Sequence, residues 1–320
     1  MRIKSVFFLA IWAIAAACAL GLAITAVAQS AGSASQPALP IPDIAGTWVY
    51  PYCCGFEPPP SGPGPVLRQP LRSDDGRPLP GGNELYRFVG DPANPILRPW
   101  AAEVVRQHGT LELAGIPSAT PRNQCWPEGI PFNFANMAIQ IIQQPDTIAI
   151  LYEHDHQFRR LRMNAAHPAQ VTPSWYGDSV AHYEGDTLVI DTVGIRLGEF
   201  SAIDWYGTPY TAALHVTERY RLVDDQAARE AQARGAKENR RMRGGRSGAA
   251  GLVAERDYKG KKLQLQFTVE DQGAFTAPWS ASVTYQRSFS EWPEHVCAES
   301  RHAVYIWRDS AVPHADKPDF

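Results

Sequence analysis

The residues best placed to do chemistry lie on segments that alternate apolar and polar side chains. Leu214, Val216, Glu218, Tyr220 and Leu222 share one side of such a segment, with His215, Thr217, Arg219 and Arg221 on the other. The pattern carries Glu218 inward among apolar neighbours. A carboxylate there must be paired, neutralised or hydrogen-bonded, because an isolated buried charge is too costly. Two arginines are candidate partners. Arg287 shares a face with Ala281, Val283, Tyr285 and Phe289. Arg160 continues the face of Ile148, Ile150, Tyr152, His154, His156 and Phe158, provided the chain runs straight through Asp155. Glu218 as general acid/base, Arg160 or Arg287 against developing negative charge, and His215 as proton shuttle would make a lyase, isomerase or hydrolase. A structural Glu–Arg ion pair is the other reading of the same residues.

The inward polar and aromatic groups also describe a ligand cavity. Tyr152, His154, His156, Tyr220, Tyr285 and Asp191, which shares a face with Val189, converge with Trp175 as an aromatic anchor. A pocket of this kind suits a small, largely apolar or aromatic molecule. His154-Asp155-His156 has the spacing for a metal, because i and i+2 on a strand point the same way. Glu218, His182 or His215 would have to supply a third ligand. In a chain with nine histidines the triplet also arises by chance in an exposed turn, so neither metal nor other cofactor is expected. Gly177-Asp178-Ser179 lacks the strand-to-helix elbow of a nucleophilic serine, and no phosphate-binding glycine motif is present.

These residues need a scaffold, and the composition sets its class. The chain has 320 residues, 44% hydrophobic and 20% charged, with a net charge of -3 and a pI near 6.3. That is globular, and it gives no field for nucleic acid. Gly 25 and Pro 27 favour turns over long helices. Strand signals cover 138–144, 147–153, 156–163, 180–183, 187–192, 214–223, 263–269, 281–289 and 303–308, with turns at Pro145-Asp146 and Glu184-Gly185-Asp186. A helix is expected near 100–107. Asp225 to Gly245 reads as a charged helix running into a basic loop, within an insertion spanning 225–260. It is either a solvated insertion or a docking element for another protein.

Arg2 and Lys4 precede the apolar run Val6–Leu22, and Ala26-Val27-Ala28 offers a cleavage site before Gln29. That is a secretory signal over residues 1–28, followed by a Ser/Ala/Pro linker over 29–43. No second run approaches the ~20 apolar residues of a membrane span, so a periplasmic or secreted product without a membrane partner is expected. Cys18 leaves with the signal. Of Cys53, Cys54, Cys125 and Cys297, a Cys125–Cys297 bridge is expected in the oxidising compartment, and no C-x-x-C motif is present.

Many strands in an exported chain favour closure, which removes exposed edges. Gly46-x-Trp48 on the first strand resembles the opening motif of the lipocalins, in which the Trp plugs the closed end of an eight-stranded barrel. The resemblance implies a mainly β, antiparallel lipocalin-like (calycin-type) barrel as a single domain over 44–320. EHDHQFRR, HPA, PSWYGDSVAHYEGDTLVIDTVG, ALHVTERYRL and FTAPW resemble segments of a large group of uncharacterised exported bacterial proteins. That likeness implies export and a single domain, and it assigns no catalytic residue.

Overall fold

The computed structural model describes residues 41–69, 88–135, 138–237, 252–255 and 258–297, with 240–241 and 246–247 as short strand segments. The expected signal peptide, most of the linker, most of the basic loop and the strand at 303–308 lie outside the described residues.

Nine strands close into a barrel. They are β1 (Gly46–Val49), β2 (Ala138–Gln143), β3 (Thr147–Tyr152), β4 (Gln157–Met163), β5 (Asp178–Glu184), β6 (Thr187–Val193), β7 (His215–Val223), β8 (Lys262–Glu270) and β9 (Trp279–Ser288). Each strand pairs with its sequence neighbours, and β1 closes the ring by pairing with both β2 and β9. An odd ring cannot alternate direction all the way round. The expected all-antiparallel sheet is therefore corrected at one seam, where β4 and β5 run parallel, Arg162 opposite Val180. The chain must then return along the length of the barrel between these strands, and residues 164–177 make that crossover.

This topology separates the two ends. The tight turns at 144–146 and 185–186 lie at one end. The described parts of the long segment between β1 and β2 (50–69 and 88–135), the turn after β3 and the loops 194–214 and 271–278 gather at the other. The long segment carries α1 (Pro99–Leu113), which starts with proline at its first position and buries Ala101, Val105 and Gly109. Arg98 N–H donates to the Ala274 carbonyl and Thr276 N–H to the Ile96 carbonyl, tying the start of α1 to the 271–278 loop. The second helix among the described residues, α2 (Asp225–Arg234), is the expected charged helix. Asp224 caps it by accepting the Ala227 N–H at 2.8 Å, and Ala228 and Ala231 are buried. No helix among the described residues is long and apolar enough to cross a membrane.

The interior is filled by side chains. Leu263, Leu265, Phe267 and Val269 of β8 and Ala281, Val283 and Tyr285 of β9 alternate inward and are almost inaccessible. Phe56 and Phe134, from the long segment, meet Phe267 edge-on at 4.9 and 5.1 Å, so that segment stoppers its end of the barrel.

At the tight-turn end, Trp48 is buried and donates from Nε1 to the Ile44 carbonyl at 2.9 Å. The Arg287 guanidinium lies 4.8 Å above its ring and donates to the Ala45 carbonyl at 2.5 Å. Gly46 has φ +107, and a Cβ there would run into that guanidinium. The glycine of the Gly-x-Trp motif is thus required by the lid over the tryptophan. Cys125 and Cys297 form the expected disulfide, with Cα atoms 5.5 Å apart.

Candidate functional site

The site begins inside the barrel with Glu218. As the alternation of β7 implies, it is fully buried. Its partner, however, is neither Arg160 nor Arg287. A single 3-10 turn, His154–His156, separates β3 from β4, and His156 has φ +48. The turn breaks the straight run assumed at Asp155 and shifts the inward set by one residue. Arg159 and Leu161 face in, while Phe158 (56% exposed) and Arg160 face out. Arg159 donates to Glu218 through Nη1 at 3.0 Å and Nη2 at 2.6 Å, to Ser179 Oγ through Nε at 3.0 Å and to Thr192 Oγ1 at 2.7 Å. Burial alone would weaken the guanidinium's charge, but Glu218 more than offsets it and raises the Arg159 pKa.

From this pair a buried polar run leads towards the loop-rich end. Tyr152, the last residue of β3, sits close enough to Arg159 to feel its charge, and its ring stacks on Tyr176 at 5.8 Å and 5°. The Tyr176 hydroxyl donates to Gln157 Oε1, which also accepts the Glu128 N–H at 3.3 Å, and Asn133 lies beside the same hydroxyl. Several polar atoms here are buried without a well-formed hydrogen bond among the described residues. They are the hydroxyls of Tyr152 and Tyr220, both amide atoms of Asn133, and Gln157 Nε2. Burial pushes the Tyr152 pKa up to about 12, so the phenol stays a neutral donor.

Beyond Gln157 the run ends in a charged cluster. Arg122 Nη1 donates to Glu128 Oε1 at 2.9 Å, and both residues are buried. His154 Nδ1 lies 3.2 Å from the same oxygen but out of hydrogen-bonding line, and its ring is 4.9 Å from that of His295. Burial, then the charge of Arg122, pushes the His154 pKa down to about 2, so the imidazole is neutral. Glu153 is fully buried, and neither of its oxygens forms a well-made hydrogen bond among the described residues. Burial pushes it up to about 7, with Arg122 pulling the other way. The disulfide fastens this cluster, because Cys125 follows Arg122 closely and Cys297 shares a segment with His295.

The structure therefore divides the residues singled out by sequence. Glu218, Tyr152, Tyr220 and Tyr285 face the interior, and the Tyr285 hydroxyl donates to the Phe134 carbonyl at 2.6 Å. His154 joins the cap cluster, whereas His156 is exposed and accepts the His295 N–H at 2.8 Å. The turn thus sends the two histidines apart, and they do not share a ligand point. Arg287 is the Trp48 lid, far along the barrel from Glu218. Trp175 packs on the loops, with its ring 5.5 Å from that of Trp126 and Arg196 above it at 5.1 Å. Asp191 and His215 meet each other on the outer face, not in the interior.

Arg159 and the cap residues Arg122, Glu128, Asn133 and Glu153 were not singled out by the sequence. Arg159 was hidden by one residue of register. The rest lie in turns or in a proline-rich stretch without periodicity, which leaves no pattern to read. Among the described residues, no group of three or more His, Cys, Asp or Glu side chains is arranged so that it could hold a metal ion.

No protein-family model, curated protein or solved structure matches the chain.

Proposed function

We propose that the protein is an exported, lipocalin-like barrel that holds a small, largely aromatic molecule bearing a hydrogen-bonding end group. The ligand sits at the loop-covered end, against Tyr152, Tyr176, Asn133 and Gln157, because side chains fill the space between the strands. The observation that carries this reading is the set of unmatched polar atoms in an otherwise packed interior. Each buried donor or acceptor without a partner costs about 1–3 kcal/mol. A sequence tolerates several such groups together where a bound molecule or ordered water completes them. The stacked Tyr152–Tyr176 pair offers aromatic surface beside those atoms. Export is supported by the signal-like first 28 residues and by a disulfide that suits an oxidising compartment. The Trp48–Arg287 closure supports the lipocalin-like comparison, with one end sealed and the other covered by loops.

The test is native mass spectrometry of the mature protein purified from the periplasm of the producing cell. A retained molecule of defined mass, released on unfolding, is the expected result. Protein that carries nothing and does not bind small aromatic probes in a fluorescence titration overturns the proposal.

The enzyme reading rests on a different observation. Glu153, buried next to the neutral His154 and beside Arg122, is pushed up to about 7 by that burial, a value suited to a general acid/base near neutral pH. A retained compound that is chemically converted on incubation, at a rate abolished by Glu153→Gln, selects this reading over simple binding.

A further inference from the structure

The unmatched hydrogen-bonding groups at the loop-covered end come from three parts of the chain that meet around Tyr176. Tyr152 and Gln157 lie directly opposite each other in the β3–β4 pair, so their side chains stand on the same face. Asn133 comes from a 3-10 turn, Phe132–Ala135, and Tyr176 from the crossover that spans the parallel seam. Asn133 and Tyr152 are buried, at 1% and 2% exposure, whereas Gln157 and Tyr176 are half-buried, so the group meets the surface beside them.

Each side chain can be counted by what it still has to give. Arg159 commits two N–H groups to Glu218 and one each to Ser179 and Thr192. The Tyr152 hydroxyl lies beside this guanidinium, which has no lone pair, so the phenolic hydrogen finds no acceptor there. Gln157 Oε1 is taken by the Tyr176 hydroxyl and the Glu128 N–H, which fixes the amide's orientation and leaves Nε2 an unused donor. Asn133 lies beside the Tyr176 oxygen, yet neither of its amide atoms has a well-formed bond among the described residues. What is left is three donors, on Tyr152, Gln157 Nε2 and Asn133 Nδ2, and one acceptor, Asn133 Oδ1. The buried charges nearby are already opposed. Arg159 is held by Glu218 and Arg122 by Glu128, and Glu153 also stands against Arg122.

We propose that this site, the one assigned to a ligand above, selects an uncharged amide end group, a carboxamide or lactam, on its aromatic molecule. Such an amide pairs reciprocally with Asn133, its carbonyl accepting from Nδ2 and its N–H donating to Oδ1. The second lone pair of the carbonyl takes a hydrogen from Tyr152 or Gln157. A carboxylate has no hydrogen for Asn133 Oδ1 and enters without an unopposed cation. An ammonium has no lone pair for the three donors. Each therefore leaves buried groups unmatched. The stacked rings of Tyr152 and Tyr176, 5.8 Å apart and 5° from parallel, supply aromatic surface beside the polar groups.

The test titrates the mature full-length protein at pH 7 with three probes of one shape, benzamide, benzoate and benzylamine, followed by ligand-observed NMR. Saturable binding of benzamide is expected, with benzoate and benzylamine each at least 10-fold weaker. Gln157→Glu keeps the acceptor for Tyr176 and Glu128 but exchanges the unused donor for a carboxylate oxygen, and weakens benzamide about 10-fold. Asn133→Asp removes the donor of the amide pair and shifts the preference from benzamide towards benzylamine about 10-fold. Where Asn133→Asp fails to fold, Gln157→Glu, at a half-buried position, carries the comparison. Benzoate or benzylamine bound as tightly as benzamide, or benzamide affinity unmoved by Gln157→Glu, overturns the amide selectivity while the aromatic-binding reading stands. Failure of all three probes also overturns it, and the broader reading falls with it only if native spectra of the periplasmic protein show no retained molecule.

Discussion

Arg159 and Glu218, 59 residues apart in the chain, meet inside the barrel through two parallel hydrogen bonds at 2.6 and 3.0 Å. Both are almost inaccessible, at 2% and 0% exposure. The guanidinium's remaining directions go to Ser179 and Thr192, whose hydroxyls also lie 3.1 Å from each other. A closed set of this kind fixes how β4, β5, β6 and β7 pack around one point. It offers no open position for a reacting molecule.

The first prediction follows from that closure. Glu218→Gln keeps the shape but removes the charge opposite a buried guanidinium, and should cost about 3–5 kcal/mol. Replacing both partners, Arg159→Met with Glu218→Leu, should recover most of the loss, because the buried charges vanish together. Urea unfolding of the single and double variants decides it. A Glu218→Gln protein as stable as the parent would mean that the pair does not hold the interior together.

What the sequence made legible followed continuity of strand. β7 runs unbroken from His215 to Val223, so alternation placed Glu218, Tyr220 and His215 on their true faces. The run from Tyr152 to Arg160 is interrupted by one helical turn, and the inward arginine moved to Arg159. Asp191 shares the outer face with Val189, as alternation says. Which face was the interior could not be read, because Thr187, Leu188, Val189 and Ile190 are all buried. A strand covered on both sides has no polar side to betray its orientation. The parallel seam was hidden for another reason. It follows from the parity of a nine-membered ring, and the sequence does not announce the number of strands in a ring. The cap residues depend on tertiary contacts of an aperiodic segment, so only their proximity in space identifies them.

The second prediction concerns pH. Glu57 is buried on the outer wall, where its carboxyl accepts from Thr284 N–H at 3.1 Å and Thr284 Oγ1 at 2.7 Å. Burial outweighs these bonds and pushes its pKa up to about 7 from an ordinary value of 4.5. Between those values the unfolded chain has released the proton and the folded one retains it. Stability therefore falls as pH rises from about 4.5 to about 7, then levels off. The shift corresponds to about 3 kcal/mol. His108 and His154, both pushed down by burial, act oppositely below about 6.5. The clean comparison is thus between the parent and Glu57→Gln. From pH 5 to 8 the parent should lose about 3 kcal/mol more than the variant, and parallel profiles would refute the assignment.

The third prediction tests the sealed end. Gly46→Ala places a methyl group against the Arg287 guanidinium and forces a non-glycine residue to φ +107. The backbone strain alone is about 1–3 kcal/mol, and displacement of the lid from Trp48 adds to it. Because the two residues touch, Gly46→Ala and Arg287→Ala should be non-additive, with the double variant less damaged than the sum of the singles. Strict additivity in thermal or urea unfolding would separate the glycine from the lid.

The fourth prediction sets two tyrosines of the same interior against each other. The Tyr285 hydroxyl donates to the Phe134 carbonyl at 2.6 Å, whereas the Tyr152 hydroxyl has no well-formed bond among the described residues. Tyr285→Phe leaves a buried carbonyl without its donor and should cost about 1–3 kcal/mol. Tyr152→Phe removes a hydroxyl whose one polar contact, with Arg159, is not a well-formed bond, so the unliganded protein should keep its stability within about 1 kcal/mol. Ligand binding reverses the order. If the Tyr152 hydroxyl meets the end group of the bound molecule, its loss weakens affinity about 10-fold, the worth of one hydrogen bond in a dry site. Tyr285→Phe leaves affinity within about twofold, since its hydroxyl is occupied by the chain itself. Retained mass in native spectra and unfolding curves of the two variants supply both halves of the comparison. A Tyr152→Phe protein that is markedly less stable and binds unchanged would show that water, not a ligand, completes this hydroxyl.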